Sequence, residues 1–402
     1  MSQIILYCAI FLSLKCNSAN PVKSIINETS RQHENRIITG AERTEIYFPV
    51  IKGKKIGLVV NQTSLIGNVH MVDSLIRAGM SIIRVFAPEH GFRGDADAGE
   101  KINDAKDPLT GLEIISLYGN KKKPSIRDLG DLDLLVFDIQ DVGVRFFTYL
   151  STLHYVMEAA AESGIPLIVL DRPNPNGHYI DGPMLDLKFK SFVGLHPVPV
   201  VYGMTIGEYG QMINGEKWLN NGIQCKLTVI PVDNYNHRKK YVLPVRPSPN
   251  LPNFRSILLY PSICFFEGTT VSVGRGTMNQ FQVLGHPKLK SEFSFTPSPN
   301  PGAKDPPHNG IICYGTDLSS ISEEQLYDHA SIDLNYVISY YKQLAGMNEK
   351  FFLDNLFFDK LAGTDQLRKQ ISDGMTAHEI KDSWQSDLQK FKQIREKYLL
   401  YR

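Results

Sequence analysis

The chain has 402 residues, too many for one small core, and one large or two medium domains are expected. Hydrophobic residues make up 42% and charged residues 21%, an ordinary globular balance. Lys and Arg total 43 against 42 Asp and Glu, so the net charge of +1 excludes a bulk attraction to nucleic acid or to an anionic membrane.

Ile4 to Leu14 form a short apolar run, followed by the small residues Cys16-Asn17-Ser18-Ala19-Asn20. This is the shape of a signal-peptide core and cleavage site, without the usual positive start. Residues 1–19 are therefore read as a leader, and an exported chain, periplasmic or extracellular, is expected. The run is too short to span a bilayer comfortably, so no membrane span is expected. Leu14-Lys15 before Cys16 is a poor context for lipid attachment. A polar segment, 20–45, comes next.

Strand and helix then alternate. Lys55 to Val60 is a buried strand; Val69, Val72, Leu75 and Ile76 recur at helical spacing, and Gly79 ends that helix. Ser81 to Phe86 and Leu132 to Phe137 are further strands. Leu150, Leu153, Val156, Met157 and Ala160 mark a helix stopped near Gly164, and Pro166 to Leu170 is another strand. Nearly all-apolar strands alternating with helices predict an α/β fold: a doubly wound, mostly parallel, Rossmann-like sheet over 46–195. No GxGxxG follows the first strand, so no nicotinamide or flavin cofactor is expected.

The second half, 196–402, is expected to contain a smaller α+β domain that completes a cleft. Thr205 and Glu208 form a capping box, as do Thr376 and Glu379, and Lys226 to Ile230 is strand-like. Two proline-rich loops cover Pro244 to Pro252 and Thr296 to Asn309. In the tail, Trp384, Leu388, Phe391, Ile394 and Tyr398 share one helical face, which predicts core packing. The five cysteines show no CxxC spacing, so neither a zinc site nor a disulfide framework is predicted. Cys225 and Cys264 sit in apolar, strand-like runs and are read as buried, inert thiols.

Ligands of open α/β sheets bind beyond the carboxyl ends of the strands. After Val60 comes Asn61. After Phe86 come Glu89, His90 and Arg93. After Phe137 come Asp138, Gln140, Asp141 and Arg145. After Leu170 come Asp171, Arg172, Asn174 and Asn176. Each alone reads as a turn residue; together they predict a polar site. Carboxylates, amides and arginines suit a polyhydroxylated substrate, since they pair with its hydroxyls. There is no GxSxG nucleophile elbow. Glycoside hydrolysis needs an acid at the departing oxygen. Glu89 fits that task, with Phe86 and Phe92 expected to desolvate it, and His90 is an alternative proton carrier. Arg93, Arg145 and Arg172 argue against a divalent cation at the same edge. Glu267 and Arg275, in Phe266-Glu267-Gly268-Thr269 and Gly274-Arg275-Gly276-Thr277, are expected from the other side of the cleft.

Three strings carry a family resemblance: Ala87-Pro88-Glu89-His90-Gly91-Phe92-Arg93-Gly94, Asp138-Ile139-Gln140-Asp141-Val142-Gly143-Val144-Arg145-Phe146, and Asp171-Arg172-Pro173-Asn174-Pro175-Asn176-Gly177. Together with Tyr202 to Thr205, Pro247 to Pro252, Phe266 to Thr269 and Leu361 to Thr364, they resemble the exo-β-N-acetylmuramidases of the NamZ type. The resemblance covers nearly the whole chain after residue 45. It implies release of N-acetylmuramic acid from the non-reducing end of peptidoglycan fragments, in a cleft between two domains. It makes Glu89 the leading catalytic residue, in an EHG motif, with muramyl saccharides as partners. One motif arginine, Arg172 before Arg93, is then expected to hold the lactyl carboxylate. A non-catalytic muropeptide binder and a metal-dependent hydrolase are the competing readings.

Overall fold

The apolar runs of the first half form strands of one sheet in a computed structural model that describes residues 36–89, 91, 92 and 105–402. The leader, Cys8, Cys16, His90, Arg93 and most of the polar 20–45 segment lie outside the described residues. In chain order the strands are β1 (Lys55–Val60), a small hairpin of β2 (Leu65–Ile66) and β3 (Val69–His70), β4 (Ser81–Ala87), β5 (Ala105–Lys106), β6 (Glu113–Ser116), β7 (Leu134–Asp138), β8 (Leu167–Leu170) and β9 (Leu227–Ile230). The central sheet has the order β5-β6-β4-β1-β7-β8-β9. Every pairing in it is parallel except that of the edge strand β5 with β6. The chain winds outward from β1 to one side through β4 and β6, then restarts at β7 and winds to the other.

Helices cover both faces, as doubly wound sheets require. They are α1 (Thr44–Ile51), α2 (Met71–Arg77), α3 (Ile126–Leu129), α4 (Tyr149–Ser163) and α5 (Ile206–Gly215). Alternate strand residues point to opposite faces. Leu58, Val60, Val85 and Val136 pack with Tyr47 and Ile51 of α1 and with Met71 and Leu75 of α2. Val59, Phe86, Leu135 and Phe137 pack with Leu153 and Met157 of α4 and with Tyr209 and Met212 of α5. Gly79 and Gly164 adopt the left-handed conformation just past α2 and α4, as their sequence positions predict.

Because β9 is the sheet's edge strand and α5 covers its face, the sheet extends past the 195/196 boundary expected from sequence. The later part of the chain is α+β. It has a small antiparallel sheet, order β10-β12-β11, from β10 (Val283–His286), β11 (Ser294–Phe295) and β12 (Cys313–Asp317). Its helices include α6 (Phe254–Ile263) and a terminal helix at Gln385–Glu396. Both predicted capping boxes form, at Thr205 with Glu208 and at Thr376 with Glu379. Trp384, Leu388 and Phe391 are buried in the large core, with Ile394 and Tyr398 packed on it. Cys264 is not strand-like: it begins a 3-10 turn, Cys264–Gly268, directly after α6. Cys225, Cys264 and Cys313 are free and buried. Burial pushes the Cys225 thiol up to about 12 and Cys313 to about 11, which makes both inert as nucleophiles. No helix among the described residues is long and apolar enough to cross a membrane.

Candidate active site

Glu89 follows β4 after one proline, in a turn closed by the Gly91 amide donating to the Pro88 carbonyl at 3.0 Å. Its carboxylate accepts a hydrogen bond from the Thr148 hydroxyl at 2.7 Å. Thr148 is the cap residue of α4, yet its hydroxyl makes no capping bond; it is used on Glu89 instead. Both residues line a cleft of about 880 Å³, within the range of roughly 300–1,000 Å³ usual for small-ligand sites. The cleft lies beyond the carboxyl ends of β4, β6 and β7. Phe146, Phe147, Tyr149, Tyr118, Phe192 and Tyr260 supply its aromatic surface. Phe86 and Phe92, expected to surround Glu89, are packed into the cores and do not line it. The Tyr149 hydroxyl is pushed above its ordinary range by burial and by the negative charge of Glu89.

From the later part of the chain, Glu267 and Arg275 line the same cleft and form an ion pair at 2.5 Å. Burial works against the Arg275 charge, but the Glu267 carboxylate more than compensates and raises its pKa. The Arg275 guanidinium also sits 5.3 Å from the Phe281 ring centroid. The Cys264 thiol approaches Glu267 at 3.6 Å. Gly302 to Pro306, inside the second proline-rich loop, form another stretch of the lining.

The other strand-end residues have a different place. They are buried, do not line the cleft, and are bound to protein groups. Asn61 closes its own turn, accepting from the Thr63 amide at 2.9 Å and hydroxyl at 2.6 Å. Asp138 receives Arg172 in two parallel bonds of 2.5 and 2.8 Å, and Arg172 also donates to the Leu65 carbonyl at 3.1 Å. Burial disfavours the Arg172 charge, yet the paired Asp138 raises its pKa above the ordinary value. Arg172 is thus buried, off the cleft, and paired with a carboxylate of the chain itself, where the sequence reading expected a ligand carboxylate.

Gln140 donates to the Asp141 and Pro173 carbonyls, each at 2.7 Å. Asp141 accepts from the Gly143 amide at 2.6 Å and from the Tyr202 hydroxyl. Gly143 has φ +78°, and a Cβ there would collide with the Asn174 amide. Asp171 caps the start of α5, accepting from the Thr205 hydroxyl at 2.7 Å and the Gly207 amide at 2.8 Å, and from Tyr401 at 2.6 Å. Burial lifts both Asp141 and Asp171 to about 6 against the pull of these donors. Asn174 spans the Asn176 amide and the Met204 carbonyl. Asn176 donates to the Val142 and Ile257 carbonyls at 2.8 and 3.3 Å. The second bond has a clear cause: Pro261 inside α6 has no N–H for the Ile257 carbonyl, and Asn176 supplies one.

Arg145 is the most unusual of the set. Its guanidinium donates to four carbonyls, Pro183, Val198, Leu361 and Ala362, at 2.6–3.0 Å. No carboxylate is paired with it among the described residues, and burial pushes its pKa down to about 9. It is a clamp between the sheet domain and the tail, and it does not line the cleft. His90 and Arg93 lie outside the described residues. Of the predicted residues, the cleft thus brings together Glu89, Glu267 and Arg275. Sequence reasoning missed Thr148, Lys122 and the aromatic lining. Recognising β6 as a strand would have pointed to Tyr118 and Lys122, which follow its end.

Residues 56–255 match the N-terminal family model of the exo-β-N-acetylmuramidase NamZ, and residues 258–401 match its C-terminal model. The chain belongs to the NamZ family. The two family models meet close to the start of α6, which places β9 and α5 with the sheet domain, as the topology does. A curated member, the peptidoglycan β-N-acetylmuramidase NamZ of Bacillus subtilis (strain 168), is 38% identical over 382 residues, 88% of this chain and 89% of that one. Two crystal structures of DUF1343 family proteins from Bacteroides fragilis NCTC 9343 share the fold. One has a TM-score of 0.84 at 47% identity and covers 91% of this chain and 99% of its own. The other has a TM-score of 0.75 at 29% identity and covers 92% and 100%.

Proposed function

We propose that this chain is an exo-acting glycoside hydrolase that releases N-acetylmuramic acid from the non-reducing end of peptidoglycan fragments in cell-wall turnover. Family membership and the B. subtilis relative support the substrate class. The observation that carries the chemistry is Glu89, held by Thr148 in a cleft that also contains Glu267 and a broad aromatic lining. Aromatic faces suit the C–H faces of a pyranose ring, and a carboxyl at the glycosidic oxygen supplies the proton that the departing sugar needs. Glu89 takes that acid role. Glu267, oriented by Arg275, is the second carboxylate in reach of the bound sugar.

The test is hydrolysis of a chromogenic β-N-acetylmuraminide beside the matching glucosaminide. Release from the muraminide, lost in Glu89→Gln, is the expected result. Release from neither would sink the proposal, and release that survives Glu89→Gln would sink the role given to Glu89. An exported location, periplasmic or extracellular, goes with this substrate and with the apolar run from Ile4 to Leu14. Cell fractionation tests it; a wholly cytoplasmic pool would overturn it.

A further inference from the structure

Three consecutive lysines follow β6, and they have different fates. Lys121 pairs with Asp128 at 3.0 Å. Lys123 pairs with Glu158 at 2.7 Å and Glu162 at 2.8 Å. Lys122, between them, makes no ion pair among the described residues, although it is half-buried and lines the cleft that holds Glu89. Its ammonium lies 4.8 Å from the centroid of the Phe192 ring. That ring is fixed on two sides, edge-on to Tyr118 at 6.0 Å and stacked on Tyr155 at 6.4 Å. The local structure therefore neutralises two lysines and holds the third, uncompensated, against an aromatic wall of the cleft.

Among the described residues, the other cations on the lining are engaged. Arg275 is bound to Glu267, and Lys304 has interactions of its own. Arg172 and Arg145 are buried away from the cleft, the first paired with Asp138 and the second bound to backbone carbonyls. A compact ammonium on a wall of mixed polar and aromatic character is suited to one carboxylate on an otherwise uncharged sugar. N-acetylmuramic acid differs from N-acetylglucosamine by one such group, the carboxylate of its 3-O-lactyl ether.

We propose that Lys122 is the specificity residue that binds the lactyl carboxylate, with Phe192 and Tyr118 fixing its position. This rests on the muraminidase reading above. It assigns the discrimination between the two sugars to the loop after β6 and not to the buried Arg145 and Arg172.

The experiment compares two chromogenic substrates, the muraminide and its lactyl carboxamide, which has nearly the same shape but no charge. Wild type is expected to favour the acid by about 10- to 100-fold in kcat/KM, the range of a charge-assisted contact against a neutral one. The preference should reside mainly in KM and should shrink as ionic strength rises. Lys122→Met should collapse the acid-to-amide ratio to about one, and Lys122→Arg should keep a large part of it. A general folding defect would lower both substrates together and leave the ratio intact. An active wild type whose Lys122→Met variant keeps the acid preference overturns the assignment alone. A wild type inactive on both substrates overturns the muraminidase reading and this assignment with it.

Discussion

Two sets of polar residues occupy the carboxyl edge of the sheet, and they are built on opposite terms. The strand-end set after β1, β7 and β8 is buried and closed on itself: Asp138 with Arg172, Asp141 with Tyr202, Asp171 with Thr205 and Tyr401. The cleft set after β4, β6 and within the later part of the chain keeps groups turned to open space: Glu89, Lys122 and the Glu267–Arg275 pair. Both are long, distinctive strings in the sequence. The difference teaches that a polar motif at a strand end can be a device for folding its own loop, and that chemistry depends on which groups border the cleft.

The comparison is broken or sharpened by substitution on each side. The largest effect is expected from Glu89→Gln, a loss of about 10²- to 10⁴-fold in kcat/KM on the muraminide, the usual contribution of a positioned acid. Its urea midpoint should stay close to that of wild type. The reverse is expected of Arg172→Met, which leaves Asp138 buried without its partner. It should cost about 3–5 kcal/mol of unfolding free energy, read by urea denaturation. A normally stable Arg172→Met variant that has lost muraminide affinity would move Arg172 back into the site.

A smaller signature comes from pH. Asp141 is held at about 6 in the folded chain, above its unfolded value of about 3.9. Between roughly pH 4 and 6 the native state keeps a proton that the unfolded chain has already released, so stability falls as pH rises through that window. The effect amounts to up to about 3 kcal/mol. Asp171, also lifted to about 6, contributes in the same window, so Asp141→Asn should reduce this slope by roughly half, measured as the difference in unfolding free energy between pH 4.5 and pH 6.5. An unchanged slope would mean that Asp141 stays ionised throughout. The smallest effect belongs to Thr148→Val, which removes the hydroxyl from Glu89. A drop of up to about tenfold in kcat, from one lost hydrogen bond to a charged group, is expected. An equal loss of stability and no loss of kcat would assign Thr148 to the folding set.

Much of the scaffold was legible because its causes are local. Apolar runs set the buried strands, Gly79 and Gly164 supplied left-handed helix ends, and Thr205 and Thr376 announced helix starts through their glutamates three residues on. Glu89 was legible because one proline separates it from a strand end. The division between folding and site residues was not. Whether Asp138 faces a ligand or an arginine depends on Arg172, 34 residues away, and on the hairpin that delivers Leu65. The aromatic lining was missed because Tyr149, Phe192 and Tyr260 read like core residues, and only the fold shows which rings end at the cleft. Lys122 was hidden in a charge run whose neighbours are consumed by Asp128, Glu158 and Glu162. The 195/196 boundary was placed too early because β9 is joined to the sheet by pairing with β8, which no local signal records.

The bond from Tyr401 to Asp171 joins residues 230 positions apart. Tyr401 also receives the Val232 amide at 2.8 Å, beside the end of β9. The Arg145 clamp likewise waits for Leu361 and Ala362. During synthesis the sheet therefore emerges with three of its interior polar groups, at Asp171, Val232 and Arg145, still wanting partners that residues 361 to 401 supply. The fold is like an arch whose keystone arrives late: the early strands can assemble, but their fastening waits for residues made 169 to 230 positions after the groups they bind.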